Sequence, residues 1–329
     1  MKIKDMIDNQ PEVLKLLKKG FDSNLLSHAY LFAGEEGSGM YEMAIYMSMM
    51  LLCESDSKPC FKCHNCIRIS KNNHLNVNII EPINDLIRRE QIDSFIHELT
   101  MTSLEAGPQI GIIKDADKMN TSAENALLKV LEEPAPNHYI FLITTNPDRL
   151  LDTIISRTQE IRFKPLPRKF IIDSLRDSGI ELDMTYILSY LTNDLDSAMS
   201  LIKEGKIYDI LNIAKELSKQ LATGKDPYVY FYKNGDMLKK EQDKKYHRIF
   251  LDMLQLINKE IINVYNGNSK GYFSEVTHLY EKETICLDKI LKMMEVINNY
   301  QERLNYYINM NLFYSSLLVE LTRWKEEIW

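Results

Sequence analysis

Four things are scarce in this chain of 329 residues. No apolar run approaches the roughly 20 residues of a membrane span, and the opening Met1-Lys2-Ile3-Lys4-Asp5 lacks the apolar core of a secretory leader. A cytoplasmic protein without a membrane partner is expected. Positive charge is not in excess: the formal net charge is −7, which argues against tight nonspecific nucleic-acid binding by the whole chain but leaves room for a local basic face. Cysteine is sparse, with five residues, yet Cys53, Cys60, Cys63 and Cys66 fall within fourteen positions, and Cys286 stands apart. In a cytoplasmic chain such clustering reads as metal binding rather than disulfide.

The fourth scarcity is local. Gly34-Glu35-Glu36-Gly37-Ser38-Gly39-Met40-Tyr41 follows the apolar Ala29-Tyr30-Leu31-Phe32-Ala33 and precedes the helix-compatible Glu42-Met43-Ala44-Ile45. Strand, glycine-rich turn and helix form the context in which a P-loop cradles phosphates with backbone N–H groups. Gly34 and Gly39 fit its spacing, but the two residues that carry its chemistry are missing. A working loop has a lysine for the β- and γ-phosphates and a serine or threonine for Mg²⁺; here those positions are Met40 and Tyr41. A thioether brings no positive charge, and a phenol is a poor replacement for a small hydroxyl ligand. An ordinary glycine-rich turn is the alternative at this point.

What is present is ordinary in bulk: 45% hydrophobic and 26% charged residues, enough for two or three globular domains. Residues 1–26 read as helix punctuated at Gln10-Pro11, with Val13, Leu16, Leu17 and Phe21 at helical spacing. Strands are expected at Ala29–Ala33, Val77–Ile80, Gln109–Ile113, Tyr139–Thr144 and Gln159–Phe163. Helices are expected from the loop to about Cys53 and over Arg88–Thr100. Thr121-Ser122-Ala123-Glu124 reads as a capping box, with Thr121 as the cap and Glu124 reaching back, and Pro134 stops the helix it opens. Alternating strands and helices imply a mostly parallel sheet covered on both faces.

After about Pro167 the strand signal disappears. Residues 167–205 read as a small helical unit and 206–329 as a larger one. There Phe250, Leu254, Ile257, Ile261 and Val264 form a helical core stripe, Asn266-Gly267-Asn268 breaks it, and about 283–327 is again helical. Lys239, Lys240, Lys244, Lys245 and Arg248 are interleaved with Glu241 and Asp243, the pattern of a solvated helix face.

Four thiolates at Cys53, Cys60, Cys63 and Cys66 suit a closed, tetrahedral, structural Zn²⁺ site. The spacing Cys60-x₂-Cys63-x₂-Cys66 also resembles the start of an iron–sulfur motif, but the further cysteine and proline that should follow are absent. His64 or His74 is an alternative to Cys53 as the fourth ligand. A second half of an ATPase site is also compromised. The strand Ile110–Ile113 ends in Lys114-Asp115-Ala116-Asp117, so a lysine stands where a Walker B carboxylate would help hold Mg²⁺. No functional ATP or Mg²⁺ site is expected.

Together these residues resemble the delta-prime subunits of bacterial DNA polymerase III clamp loaders, within the AAA+ clamp-loader family. The resemblance is carried by Ser27–Phe32, the cysteines, Asp115–Asn120, Ala123–Pro134 with its Leu-Leu-Lys-x-Leu-Glu-Glu-Pro run, Thr144–Pro147 and Thr153–Arg157, all within about residues 1–165. It implies an α/β RecA-like AAA+ domain over 1–166 with a zinc-binding insertion at about 53–66, an all-α lid over 167–205 and an all-α collar over 206–329. It implies a noncatalytic subunit of a hetero-pentamer with tau/gamma and delta subunits, loading the sliding clamp onto primed DNA at the bacterial replisome, and counted with DNA-directed DNA polymerase only at the holoenzyme level. The family's Ser-Arg-Cys motif corresponds to Ser156-Arg157-Thr158, so the resemblance assigns Arg157 as an arginine finger acting in trans on a neighbour's nucleotide. The lid arginine of nucleotide-binding relatives has no counterpart in Asp194-Leu195-Asp196-Ser197-Ala198. Two other readings compete: a weakly active AAA+ ATPase subunit, and a zinc-dependent protein or DNA interaction module.

Overall fold

The run Ala29–Ala33 has one polar side-chain atom, the Tyr30 hydroxyl, which accepts from Ser27 N at 2.9 Å; the run forms β1, a wholly buried interior strand. With β2 (Val77–Ile80), β3 (Gln109–Ile113), β4 (His138–Thr144) and β5 (Gln159–Arg162) it builds a sheet of order β2-β3-β4-β1-β5, with every pairing parallel. This is the computed structural model of the chain; it describes residues 3–100, 107–223, 225–267, 272–282, 287–306 and 309–323. Cys286, Asn268 and both ends of the helical stretch expected at 283–327 lie outside the described residues. Two compact units result, Met1–Phe170 and Ile171–Trp329.

In the first unit the helices are α1 (Ile3–Ile7), α2 (Pro11–Asp22), α3 (Met40–Leu52), α4 (His64–Ser70), α5 (Arg89–Thr100), α6 (Thr121–Glu132) and α7 (Asp152–Ile155). Alternation along the strands sorts the core into two layers. Tyr30, Phe32, Ile110, Ile112, Phe141 and Ile143 pack with α2 and α3, while Ala29, Leu31, Ile113, Ile140 and Leu142 pack with α5 and α6. Gly111 lets α5 approach β3: a Cβ there would lie 2.3 Å from Phe95 Cζ.

Two sequence expectations are corrected. The first helical stretch stops at Asp22 rather than near residue 26. Asn24 takes a positive φ of 56°, and the amides of Asn24 and Leu25 close on Phe21 O and Gly20 O, a Schellman-type stop. The cap of α6 is Asn120, not Thr121: its side chain accepts from Ala123 N at 2.8 Å. Asn is a strong N-cap and stands one residue earlier, so Thr121 is already helical. Glu124 is released from the reciprocal role and accepts from Leu151 N at 3.1 Å.

The second unit is helical among its described residues: α8 (Arg168–Asp177), which begins just before the division, α9 (Leu182–Leu191), α10 (Leu195–Glu204), α11 (Lys206–Ala222), α12 (Pro227–Asn234), α13 (Asp236–Lys240), α14 (Lys244–Tyr265), α15 (Ser274–Lys282), α16 (Leu287–Arg303) and α17 (Met310–Arg323). Phe250, Leu254, Ile257 and Ile261 of α14 are buried and Val264 is half-buried, as the stripe predicts. The lysine-rich stretch is largely paired within the unit: Lys239 and Lys240 with Asp236, and Lys245 with Glu204. No helix among the described residues is long and apolar enough to cross a membrane.

Candidate functional site

The glycine-rich turn joins the end of β1 to α3 at the sheet edge where β4 and β3 also end. Gly34 N donates to Thr144 O at 3.2 Å, locking the turn to β4. Gly34 has no room for a side chain: a Cβ would sit 2.9 Å from both Phe163 Cβ and Ser38 Oγ. Gly39 caps α3 with φ 89°, a left-handed conformation that favours glycine, and offers no side-chain acceptor. Gln10 steadies the turn from α2's N-cap position, its Nε2 donating to Ser38 O at 2.9 Å and Lys164 O at 2.6 Å. The turn is therefore held to β4, to Phe163 and to Gln10 along its length. Met40, however, is 5% exposed and belongs to the core under α3 rather than to the loop's surface.

The other two substituted positions meet. Lys114 Nζ, at the end of β3, lies 5.0 Å from the centroid of the Tyr41 ring and pairs with Glu81 Oε2 at 3.0 Å. Tyr41 OH donates to Asn72 Oδ1 at 2.9 Å. Burial opposes the Lys114 charge, but the hydrogen bond and charge of Glu81 prevail and hold its pKa above the ordinary lysine value. Burial pushes the Tyr41 phenol up, against the pull of Asn72 and Lys114. An ammonium thus bridges the first residue after β3 and the first turn of α3.

Neighbouring polar groups are turned on one another. Thr144 is fully buried and donates to Asp117 Oδ1 at 2.6 Å, while Asn146 N donates to Thr144 Oγ1. Asp115, with φ 48°, pairs with Lys118 at 3.5 Å. His28 Nε2 lies 3.1 Å from Leu131 O and so ties the start of β1 to the last turn of α6. Asp194 caps α10 by accepting from Ser197 N, and α10 contains no arginine.

Arg157 follows α7. Its guanidinium donates from Nη2 to Glu132 Oε1 at 2.7 Å and from Nη1 to Thr153 O at 2.9 Å, with a longer contact to Ser156 Oγ at 3.4 Å. The side chain is one-third exposed. Nothing in the sequence pattern pointed to Glu132 as its partner, or to Glu124 as the acceptor for α7's N-cap.

The cysteines converge. Cys53 ends α3, Cys63 caps α4, and Cys66 lies within α4, a helix the sequence reading did not foresee. The four Sγ atoms lie within 4.8 Å of one another, and Cys53 Sγ is 3.9 Å from Cys63 Sγ. Four thiolates at about 2.3 Å from a tetrahedral ion stand about 3.8 Å apart, so the donor set fits a metal. Among the described residues the set holds Cys53 and neither His64 nor His74. The backbone N–H groups of Lys62 and Cys63 lower the Cys60 thiol to about 6, while burial pushes the Cys66 thiol well up.

A parallel sheet covered by helices on both faces, with a glycine turn between β1 and α3, defines the general class: a doubly wound α/β domain followed by a helical unit. The family described as "DNA polymerase III, delta subunit" matches residues 9–167. The DNA polymerase III subunit delta' of Bacillus subtilis is 35% identical over 266 residues, covering 80% of each chain. This chain belongs to the delta-prime family of DNA polymerase III subunits. The gamma/tau subunit of Mycobacterium bovis is 33% identical over 165 residues, 48% of this chain and 28% of that one. A crystal structure of a gamma subunit-related protein from Thermotoga maritima overlays with a TM-score of 0.44 at 19% identity, covering 95% and 99% of the two chains.

Proposed function

We propose that this chain is a noncatalytic clamp-loader subunit that completes a neighbour's ATPase centre with Arg157 and hydrolyses nothing itself. One observation carries the reading: the residues at the two Mg²⁺-ligand positions, Tyr41 and Lys114, face each other, with the lysine charge held by Glu81. A divalent cation brought there meets a fixed ammonium instead of a hydroxyl and a carboxylate. The buried Met40 leaves the β- and γ-phosphates without their lysine. Mg·ATP titrated into the isolated chain is expected to give no binding heat, while the chain co-purifies with gamma/tau and delta subunits. Micromolar binding with turnover would instead make it a weak ATPase.

On this reading the partners are tau/gamma and delta subunits in a hetero-pentamer that acts on the sliding clamp and primed DNA at the nucleoid. The division of labour is a RecA-like domain over 1–166, a lid over 167–205 and a collar over 206–329. The left-handed Gly205 that ends α10 and precedes α11 supports the second boundary. The four cysteines hold structural Zn²⁺, with Cys53 as the fourth ligand. Metal analysis is expected to find about one equivalent of zinc in a colourless protein. Cys63→Ser is expected to abolish retention and lower the melting temperature, because ligand binding and local folding are linked. Absorbance near 400 nm would point to an iron–sulfur cluster instead.

A further inference from the structure

We infer that Glu132 is a positioning residue for Arg157, and that α6 acts as the splint on which the finger is presented. This rests on the trans-acting role proposed for Arg157. Three contacts along α6 fix the segment that carries the finger. At the first turn, the buried Glu124 accepts from Leu151 N at 3.1 Å and so sets the start of α7. In the middle, Ile154 of α7 is fully buried in the layer that holds Leu127 and Leu131. At the last residue, Glu132 Oε1 accepts from Arg157 Nη2 at 2.7 Å. The end of α6 is itself tied to the start of β1 through His28 and Leu131 O. The guanidinium is thereby referred to the central sheet rather than to a free loop.

The donor count supports presentation rather than burial. An arginine has five N–H donors. Contacts to Glu132, Thr153 O and Ser156 Oγ use three, which leaves two for a pair of phosphate oxygens. The side chain is also one-third exposed, so the fork can be reached from outside the chain. A carboxylate that grips one nitrogen fixes the plane of a planar, delocalised cation without removing its charge from the site. Without Glu132 the long side chain samples several rotamers. Catalysis by a misplaced group falls steeply, by as much as 10²-fold for about 1 Å.

The test uses the reconstituted loader with its ATPase subunits, the sliding clamp and primed DNA. Glu132→Ala, Glu132→Gln and Arg157→Ala are compared with wild type in kcat and KM for ATP. Melting of each free chain is followed alongside. Glu132→Ala is expected to lower the kcat assigned to the neighbouring site by about 10- to 100-fold with KM unchanged. Such a split marks an interaction used only in the transition state. Glu132→Gln keeps an acceptor for Nη2 and is expected to recover most of the loss. Both variant chains should melt as wild type does, since an exposed ion pair contributes little to stability. If Arg157→Ala lowers the rate but Glu132→Ala does not, the splint is wrong and the finger stands. If Arg157→Ala changes nothing, the finger fails and the splint with it. A faster rate in Glu132→Ala would show that the carboxylate restrains the arginine, and a lowered melting temperature matching the lost rate would reduce Glu132 to a structural role. Either result overturns the inference.

Discussion

Arg157→Ala, carried by the assembled loader, is expected to slow single-turnover ATP hydrolysis at the adjoining site by about 10³-fold or more, the range of arginine fingers acting in trans. Such a loss corresponds to about 4 kcal/mol of transition-state stabilisation. It should appear in the chemical step, with nucleotide affinity nearly unchanged, because the charge that the guanidinium meets develops on the transferred phosphoryl group. The remaining ATPase sites of the ring should keep their rates, so the trace is expected to separate into a normal fraction and a stalled one. Arg157→Lys should rescue little. A lysine brings the charge but not the planar fork, of which Glu132 takes one Nη2 hydrogen and Thr153 O and Ser156 Oγ take Nη1, leaving Nε–H and the second Nη2 hydrogen for a phosphate. Unchanged single-turnover kinetics in Arg157→Ala would remove the assignment.

Much of the fold was legible because its signals are local. The buried strands β1, β3 and β4 are short apolar runs bounded by turn residues, and the cysteine spacing brings four sulfurs together as it suggests. That Met40, Tyr41 and Lys114 depart from a phosphate-loop motif is plain in the sequence; that the departure disables nucleotide binding is the proposal that calorimetry tests. What could not be read was where side chains with several options spend their hydrogen bonds. Thr121-x-x-Glu124 satisfies a capping pattern, yet Asn120, a better cap one position earlier, takes the free amide. Glu124 then reaches Leu151, 27 residues away. Likewise the Glu132–Arg157 and Lys114–Tyr41 contacts cross from one secondary element to another, and no periodicity encodes them. The short helix α4 was hidden because the residues that start it, Cys63 and His64, read first as metal ligands.

On the proposed reading, placing the motif's side chains at Met40, Tyr41 and Lys114 should confer nucleotide binding, and the three positions should not act additively. Met40→Lys alone supplies a phosphate contact but leaves Lys114 beside the metal position, so the divalent ion is still repelled. Lys114→Asp alone places a new carboxylate near Glu81 and Tyr41, with no hydroxyl to complete the cation's ligands. Tyr41→Thr alone removes the ring over which the lysine sits and frees Asn72 of its phenol partner, but the ammonium remains. Only the triple variant Met40→Lys, Tyr41→Thr, Lys114→Asp combines phosphate charge, Mg²⁺ hydroxyl and Mg²⁺ carboxylate on a backbone whose Gly34 and Gly39 geometry is retained. Isothermal calorimetry is expected to show no heat with Mg·ATP for wild type or any single variant, and a dissociation constant of about 1–100 μM for the triple variant, or roughly 5–8 kcal/mol of new binding free energy. Omitting Mg²⁺ should cost the triple variant most of that affinity, since two of its three new groups act through the ion. Hydrolysis by the isolated triple variant should remain slow, because its α10 carries no arginine and a finger for its own site would have to come from another chain. If the triple variant binds no better than wild type while its melting curve is intact, the side chains are not what separates this loop from a working one, and the cause must lie in the backbone of the turn itself.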